Sequence, residues 1–365
     1  MSATSIDRKA RFEKHLVEIL NFGAVNLAMG IGYRSGAFEA MDAIGRPATI
    51  AEITDKSGLD GRYLKEWLGV MVSGGVINLI DDVEDGERYL LPAEHADLIT
   101  RRAGSANLGV YTQETPLLTA CAWEDVLTGM QTGTGVPYGR YPRFQAFMGE
   151  LADAKHREVL VDVFLPSVAD GDIVSSMTVG IHVCDIGCGE GMAINLMARA
   201  FPRSRFVGLD LSLEAIGVAR QEAKAAGLTN VEFLSMDVTD PAATGKFTGG
   251  FDYITAFDAI HDQTRPAEAL EMIHSMLSPD GAFSMVDIAA NTRLADNLDH
   301  PMAPFLYTVS LMHCMPVGLV SGGAGLGMMW GQEKAVEMLE AAGFHSIAVN
   351  EIPQDPFNLH FYSKK

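Results

Sequence analysis

The sequence predicts an α/β protein in which a mainly helical N-terminal domain precedes a mostly parallel β-sheet flanked by helices. In the first hundred residues, apolar side chains recur at helical spacing and are followed by a predicted β-hairpin. From residue 181 onward, short β-branched runs alternate with amphipathic helical patterns, which is typical of a parallel sheet with helices on both faces. Because 365 residues exceed the usual size of one compact domain, we expect at least two.

The N-terminal domain, expected over residues 1–100, has the pattern of a winged helix. Thr49 can cap a helix over residues 50–56, and "SGLD" predicts a turn into a second helix over residues 61–73. The polar "DDVEDGE" connects strands predicted at residues 76–80 and 89–91, as the tip of a wing. The side chains expected to face inward from the second helix are Tyr63, Leu64, Trp67, Leu68 and Met71.

Residues 101–178 are expected to form a helical linker and cap segment. The stretch "TGTGVPYGRYPRF", residues 132–144, interrupts the helical pattern, because its glycines and prolines disfavour a regular helix. The third segment, residues 179–365, contains five predicted parallel strands at residues 181–186, 205–210, 231–235, 251–257 and 282–288.

A glycine-rich loop follows the first of these strands. It reads Asp185-Ile-Gly187-Cys-Gly189-Glu-Gly191, and glycines at alternate positions let the backbone turn tightly and approach a ligand closely. A dinucleotide fingerprint would place glycine at the position that Met192 occupies. The spacing therefore counts against a dinucleotide.

Two further carboxylates end the next two strands. Asp210 follows the loop by about 20 residues, where an acid commonly binds ribose hydroxyls, and Asp237 comes after the third strand, where it can accept from an adenine amino group. Together with Asp185 they indicate an adenosine site at the carboxyl ends of three successive strands.

With these motifs the sequence resembles the class I S-adenosylmethionine (SAM)-dependent methyltransferases. The resemblance covers roughly residues 180–363 and includes "FDYITAFDAIHD", "LSPDGAFSMVD" and the closing "AAGFHSIAVNEIPQDPFNLHFYSKK". It implies a Rossmann-like seven-stranded sheet, mostly parallel with one antiparallel strand, and SAM as cofactor. The cofactor-binding residues that it implies are Asp185, Gly187, Gly189, Gly191, Asp210, Leu211, Asp237, Val238 and Asp258.

The winged-helix segment resembles the dimerisation and substrate-capping domain of small-molecule O-methyltransferases, which implies a homodimer and a small-molecule acceptor. The rival interpretation is DNA binding. The whole chain has a formal charge of −20, and its first hundred residues have 10 Lys and Arg against 16 Asp and Glu. We therefore expect no nucleic-acid partner, and a SAM-responsive winged-helix regulator remains the non-enzyme alternative.

His261 is the candidate catalytic residue. The pair His261-Asp262 matches the "HD" of winged-helix O-methyltransferases, where the histidine is the general base, and an imidazole titrates near neutral pH. Gln263 stands where that family often has tryptophan. The alternative is that His261 caps the next helix or only lines the pocket.

An insert at about residues 289–331 is too long for an ordinary connection, and we expect it to close over the acceptor. Its methionine-rich composition suits a small apolar or soft molecule, although core or dimer-interface roles remain open for most of these side chains. The predicted acceptor-side residues are Tyr138, Arg140, Tyr141, Tyr307, His313, Cys314 and Met315, with Arg140 as a candidate donor to the cofactor carboxylate. We expect O-methylation, with S-methylation of a thiol or sulfide as the alternative, and no metal.

The expected location is the cytoplasm. The four cysteines form no CxxC pair, the N-terminal segment has no apolar signal core, and we expect no continuous apolar run long enough to cross a bilayer. No membrane partner is therefore expected.

Overall fold

The computed structural model describes residues 3–82, 86–141, 147, 150–151 and 155–365, with only the backbone described at residues 3–6, 82 and 105. The chain divides into two compact units, Met1–Leu117 and Leu118–Lys365. The predicted wing tip at residues 83–85 and Phe144, which the sequence groups with the aromatic loop residues, lie outside the described residues. The predicted domain boundaries 1–100, 101–178 and 179–365 stay predictions.

The first unit contains the predicted winged helix. Thr49 and Glu52 form a reciprocal capping box at the start of the helix Ile50–Ser57, and the Asp60 carboxylate accepts from two backbone amides at the start of Gly61–Ser73. Both helices were expected at these positions. The elements of this unit are α1 Ala3–Ser35, α2 Ala37–Ile44, α3 Ile50–Ser57, α4 Gly61–Ser73, β1 Asn78–Asp82, β2 Gly86–Leu90 and α5 Ala93–Ile99.

The inward face predicted for α4 is wrong at one position. Leu64, Leu68 and Met71 are buried, and the Trp67 indole N–H donates to the Ala28 carbonyl at 2.8 Å. Tyr63 is 82% exposed, because it precedes Leu64 by one residue and so points about 100° away from it around the helix. A large side chain that is next to a core residue in the sequence of a helix can therefore point into solvent.

The long helix α1 corrects the expectation that no segment is apolar enough to cross a membrane. Among the described residues, one helical stretch, Asp7–Ser35, is long enough and has a mean hydropathy of 1.3. Its 18-residue window has at most two charged residues, and 22% of that window is buried. One such helix near the N-terminus does not establish a membrane span, because core helices and signal sequences have the same composition.

The second unit is built on a seven-stranded sheet in the order β5-β4-β3-β6-β7-β9-β8. Strands β3 to β7 pair in parallel, and β9 is antiparallel to both β7 and β8. This confirms the predicted Rossmann-like sheet with one antiparallel strand. The strands are β3 His182–Ile186, β4 Arg205–Asp210, β5 Val231–Ser235, β6 Phe251–Phe257, β7 Leu277–Ile288, β8 His345–Ile352 and β9 Asp355–Lys364.

Helices cover both faces of this sheet, as the alternating pattern predicts. Within β3, Val183 packs into the core on one face with Ile194, and Cys184 packs on the other face with Ile254. The helices of seven or more residues from residue 114 onward are α6 Glu114–Thr132, α7 Asp172–Val179, α8 Met192–Ala200, α9 Leu213–Ala225, α10 Pro266–Met276, α11 Ala303–Val309 and α12 Gln332–Ala341. Two π-helical turns, His156–Phe164 and Ser310–Cys314, add to these, and such turns are frequent at functional sites.

Candidate functional site

The candidate site lies at the carboxyl ends of the parallel strands. The strand order reverses at β3, which pairs with β4 on one side and with β6 on the other. Ligands of open α/β sheets bind in the crevice that such a reversal creates. The glycine loop and the predicted acids all lie at or just beyond the ends of strands that finish at this edge.

The glycine loop is held to its neighbouring strand by backbone hydrogen bonds. The amides of Gly187 and Cys188 both donate to the Leu209 carbonyl, at 2.8 and 3.1 Å, and the Gly191 amide donates to the Cys188 carbonyl at 2.9 Å. These bonds bend the chain sharply between β3 and α8. The turn requires left-handed backbone, with φ of 68° at Gly187, 52° at Gly189 and 79° at Gly191.

The three glycines serve different purposes. A Cβ at Gly187 would lie 2.5 Å from the Ala259 Cβ, and one at Gly191 would lie 2.7 Å from the Phe233 ring, so packing excludes side chains at both. A Cβ at Gly189 would meet no atom of the described residues within 4 Å. The backbone at Gly189 therefore faces open space, where a ligand can approach it.

Asp210 connects this loop to the helix that follows β4. Its Oδ2 accepts from the Gly189 amide at 2.9 Å and its Oδ1 from the Ser212 amide at 2.8 Å, while Ser212 caps α9. Burial raises the pKa of Asp210, and the backbone amides oppose that rise. Leu211, the next residue, is 64% exposed, so an apolar surface lies beside the carboxylate.

Two carboxyl groups at the ends of β3 and β6 have raised pKa values. Asp185 is buried and accepts from the Thr255 hydroxyl at 2.7 Å, and burial raises its pKa to about 7. Asp258 has a left-handed φ of 49° and accepts from the Asn358 side-chain amide at 2.5 Å, and desolvation raises its pKa to about 6. A ligand cation beside them would lower both pKa values, so the pair favours a positively charged ligand.

The pKa of Asp237 is shifted in the opposite direction, below its usual value. Its Oδ1 accepts from the Thr239 amide and hydroxyl at 2.8 and 2.6 Å, and its Oδ2 accepts from the Arg265 guanidinium at 2.8 Å. Burial works against ionisation, but these hydrogen bonds outweigh it and lower the pKa of Asp237. The carboxylate stays ionised beside the buried Val238, with both oxygens already engaged by protein donors.

His261 lies between two carboxylates. Its Nδ1 is 2.7 Å from Asp287 Oδ1 and its Nε2 is 3.5 Å from Asp262 Oδ1, and only 3% of the residue is exposed. Burial alone lowers the pKa of His261, but the charges of Asp287 and Asp262 outweigh it and raise that pKa well above its usual value. The arrangement orients the ring and makes it a strong base.

Four predicted acceptor-side residues gather next to His261. The His313 ring lies 4.6 Å from the Tyr141 ring and 5.8 Å from the Tyr138 ring, between centroids. Its Nδ1 is 3.6 Å from Cys314 Sγ and 3.9 Å from Asp262 Oδ2. The structure thus brings the loop containing Tyr138 and the insert containing Cys314 together around the His261-Asp262 pair.

Three other predicted acceptor-side residues have different surroundings. The Arg140 Nε donates to Asp125 at 2.9 Å in an exposed ion pair, and its contact with the cofactor carboxylate stays a prediction. The Tyr307 hydroxyl accepts from the Asn297 side-chain amide at 3.1 Å, and Met315 is half-buried one residue beyond Cys314.

Sequence reasoning missed three residues that orient the site. Thr255, on the strand next to β3, holds Asp185, and Asn358 of β9 holds Asp258; no sequence signal singles out either residue. Asp287 orients His261, and it stands near the carboxyl end of β7, so the strand-end argument that selected Asp210 applies to it as well.

Comparisons with known proteins identify both parts of the chain. Residues 177–343 match the family described as "Methyltransferase domain", and residues 23–101 match the "Rv2258c-like winged HTH domain". The ubiquinone biosynthesis O-methyltransferase of Actinobacillus pleuropneumoniae serotype 7 (strain AP76) is 30% identical over 104 residues, which are 28% of this chain and 43% of that protein. The chain covers less than half the length of the first curated relatives that it matches.

Solved structures match over almost the whole length. Human N-acetylserotonin methyltransferase, solved in complex with SAM, has a TM-score of 0.68 at 14% identity, and 97% of each chain is covered. The mitomycin 7-O-methyltransferase MmcR has a TM-score of 0.68 at 17% identity, with 99% of this chain and 100% of that chain covered. At these identities the likeness establishes the fold. With the two family matches, the chain carries a methyltransferase domain over residues 177–343 that follows a winged HTH domain over residues 23–101.

Proposed function

We propose that this protein is a SAM-dependent methyltransferase that methylates a hydroxyl group of a small molecule. The observation that carries the proposal is the buried His261, held between Asp287 and Asp262 beside the strand ends. The solved structures with the same fold include enzymes whose names denote O-methylation or binding of SAM, which supports this class of reaction.

The residues at the strand ends fit SAM. The open space at Gly189 allows backbone contact with a ligand, and the raised pKa values of Asp185 and Asp258 favour a cationic one. We assign Asp185 and the glycine loop to the methionine part, Asp258 to the methionine end, Asp210 with Leu211 to the ribose, and Asp237 with Val238 to the adenine. When bound, SAM supplies an electrophilic methyl group on a sulfonium.

The chain's own side chains would accept the proton of the acceptor and hold the acceptor in place. His261 holds its Nδ1 proton toward Asp287, so its Nε2 can take the acceptor proton as the oxygen attacks. The aromatic rings of Tyr138 and Tyr141, next to His313, would hold a flat acceptor and exclude water. Tyr307 and Met315 of the insert would also line the acceptor side of the pocket.

A thiol acceptor is the second candidate, because methionines pack beside the strand that carries Asp287. Met329 is buried against Ile288 with Met302 and Met328 next to it, and thioethers suit soft sulfur ligands. The same base would then remove a thiol proton.

We also propose that the protein forms a homodimer. Apolar side chains stay exposed along α1, and a second copy of the chain is the occupant that the winged-helix resemblance implies. We also expect a cytoplasmic location without a membrane or nucleic-acid partner.

Purified full-length chain incubated with methyl-labelled SAM and separate panels of phenols, alcohols, thiols and amines tests the proposal. We expect labelled product from a hydroxyl compound, and His261→Gln should bind SAM with wild-type affinity in calorimetry but turn over far more slowly. Thiol-only labelling would select the second candidate. SAM binding without product in any panel would contradict the enzyme and favour the regulator.

A further inference from the structure

One cluster within the second unit contains three different metal-binding donors. A ring nitrogen of His261, a carboxylate oxygen of Asp262 and the sulfur of Cys314 all lie within 4.8 Å of one another. His261 and Cys314 are 3% and 5% exposed, and the Asp262 side chain is 24% exposed. The donors thus surround one mostly buried point.

The separations suit tetrahedral coordination. Zinc bonds of about 2.0–2.1 Å to nitrogen and oxygen place two such donors about 3.3 Å apart, and a sulfur at about 2.3 Å lies about 3.6 Å from either. His261 Nε2 and Asp262 Oδ1 are 3.5 Å apart. The sulfur, within 4.8 Å of both, needs to move by at most about 1 Å, which small side-chain rotations supply.

The surroundings have the features of a metal site. The other ring nitrogen of His261 is held 2.7 Å from the fully buried Asp287, the carboxylate–histidine arrangement that commonly orients metal-binding histidines. Asp287 Oδ1 is itself fixed by the Ile288 amide at 2.8 Å. In the described part of the chain, Asp262 Oδ1 is buried without a hydrogen-bond donor, so a cation there would satisfy it.

We propose that His261, Asp262 and Cys314 bind a divalent transition-metal ion, with Zn²⁺ as the ion that this donor set suits best. Thiolate and imidazole ligands favour zinc over magnesium or calcium, which prefer oxygen. The His313 Nδ1, 3.6 Å from the Cys314 sulfur, provides a further nitrogen donor beside the site.

Metal binding and the proposed base role use the same atom. A metal on His261 Nε2 would remove the lone pair that accepts the substrate proton, so Zn²⁺ would inhibit base-assisted methyl transfer. The binding itself does not rest on methyl transfer, and it can be measured on a protein that shows no turnover.

Titration of the metal-free, untagged full-length chain with CoCl₂ tests the site by absorption spectroscopy. We expect one ion per chain and a near-ultraviolet thiolate-to-cobalt band that added ZnCl₂ abolishes. Cys314→Ser should lose the band. The matched control Cys121→Ser, at a half-buried cysteine outside the cluster, should keep it.

A second variant removes the carboxylate that orients His261 and leaves the three proposed ligands unchanged. Asp287→Asn should weaken Zn²⁺ binding about 10- to 100-fold in competition calorimetry, as loss of a supporting carboxylate does elsewhere. Circular dichroism confirms that each variant is folded. Absence of the cobalt band in folded wild-type protein, or its persistence in folded Cys314→Ser, would overturn the proposal.

Discussion

At the scale of single residues, Gly189 combines an unusual backbone conformation with exposure to the ligand space. Its φ is 52°, and a Cβ there would touch no atom of the described residues within 4 Å. The position can therefore accept alanine sterically in the unliganded protein, at a cost of about 1–2 kcal/mol for the left-handed backbone. The added methyl group would occupy space that the ligand needs.

We predict that Gly189→Ala folds with slightly reduced stability and binds SAM about tenfold or more weakly. Calorimetry and thermal unfolding measure the two effects. Gly217→Ala is the matched control, since this helical glycine of α9 also has open space around it among the described residues. The control should gain up to about 1 kcal/mol in stability and bind SAM unchanged. Wild-type affinity in Gly189→Ala would place SAM elsewhere.

The charges around His261 predict the pH dependence of the reaction. A base must be unprotonated, so the rate should rise with pH through the pKa of His261, which Asp287 and Asp262 hold above its usual 6.5. Asp262→Asn removes one of the two charges that raise this pKa. The acidic limb of the kcat/KM profile should then move to lower pH.

The control for this shift is Asp299→Asn, which removes an equal charge from an exposed position in the insert. It should leave the profile in place. If the profile does not move in Asp262→Asn, His261 is not the base that takes the proton in the rate-determining step.

At the scale of elements, α1 has an apolar stripe that its own unit leaves uncovered. Phe12, Leu16, Ile19, Leu20 and Leu27 are 43–66% exposed and lie on one side of the helix. Contiguous exposed apolar surface of this kind marks a contact with another molecule.

We predict that the stripe forms the dimer contact and that Leu16→Glu with Leu20→Glu gives monomers. Light scattering behind size-exclusion chromatography should give twice the 39.3 kDa chain mass for wild type and the chain mass for the variant. Lys14→Glu, on the opposite side of α1, is the control and should remain dimeric. Monomeric wild type, or flotation of wild type with lipid vesicles, would contradict this use of the stripe.

At the scale of the whole molecule, the net charge favours the enzyme over the DNA-binding alternative. The chain has a formal charge of −20, and on α4 the Arg62 guanidinium already pairs with Glu66 at 2.5 Å. Repulsion by phosphates should prevent binding of duplex DNA at physiological salt. Fluorescence anisotropy with labelled duplexes, with and without SAM, should show no binding. A SAM-dependent increase would support the regulator.

The strand and helix pattern was predictable because it depends on local chemistry. The strands β4, β5 and β6 and the helix α4 begin and end at the predicted residues, since apolar periodicity, caps and glycine stops act within a few positions of the chain. The wrong prediction at Tyr63 depends on which surface of α4 is covered, and local periodicity does not contain that information.

The sequence by itself determined the α/β sheet, the glycine loop and the acids at successive strand ends, because each follows from spacing along the chain. Only the tertiary structure decided how these groups are charged and oriented. Asp287 contacts His261, which is 26 residues away in the sequence, and Asn358 contacts Asp258, which is 100 residues away. Burial, which raises the pKa of Asp185 to about 7, likewise arises only when the strands pack together, because desolvation is a property of the folded surroundings.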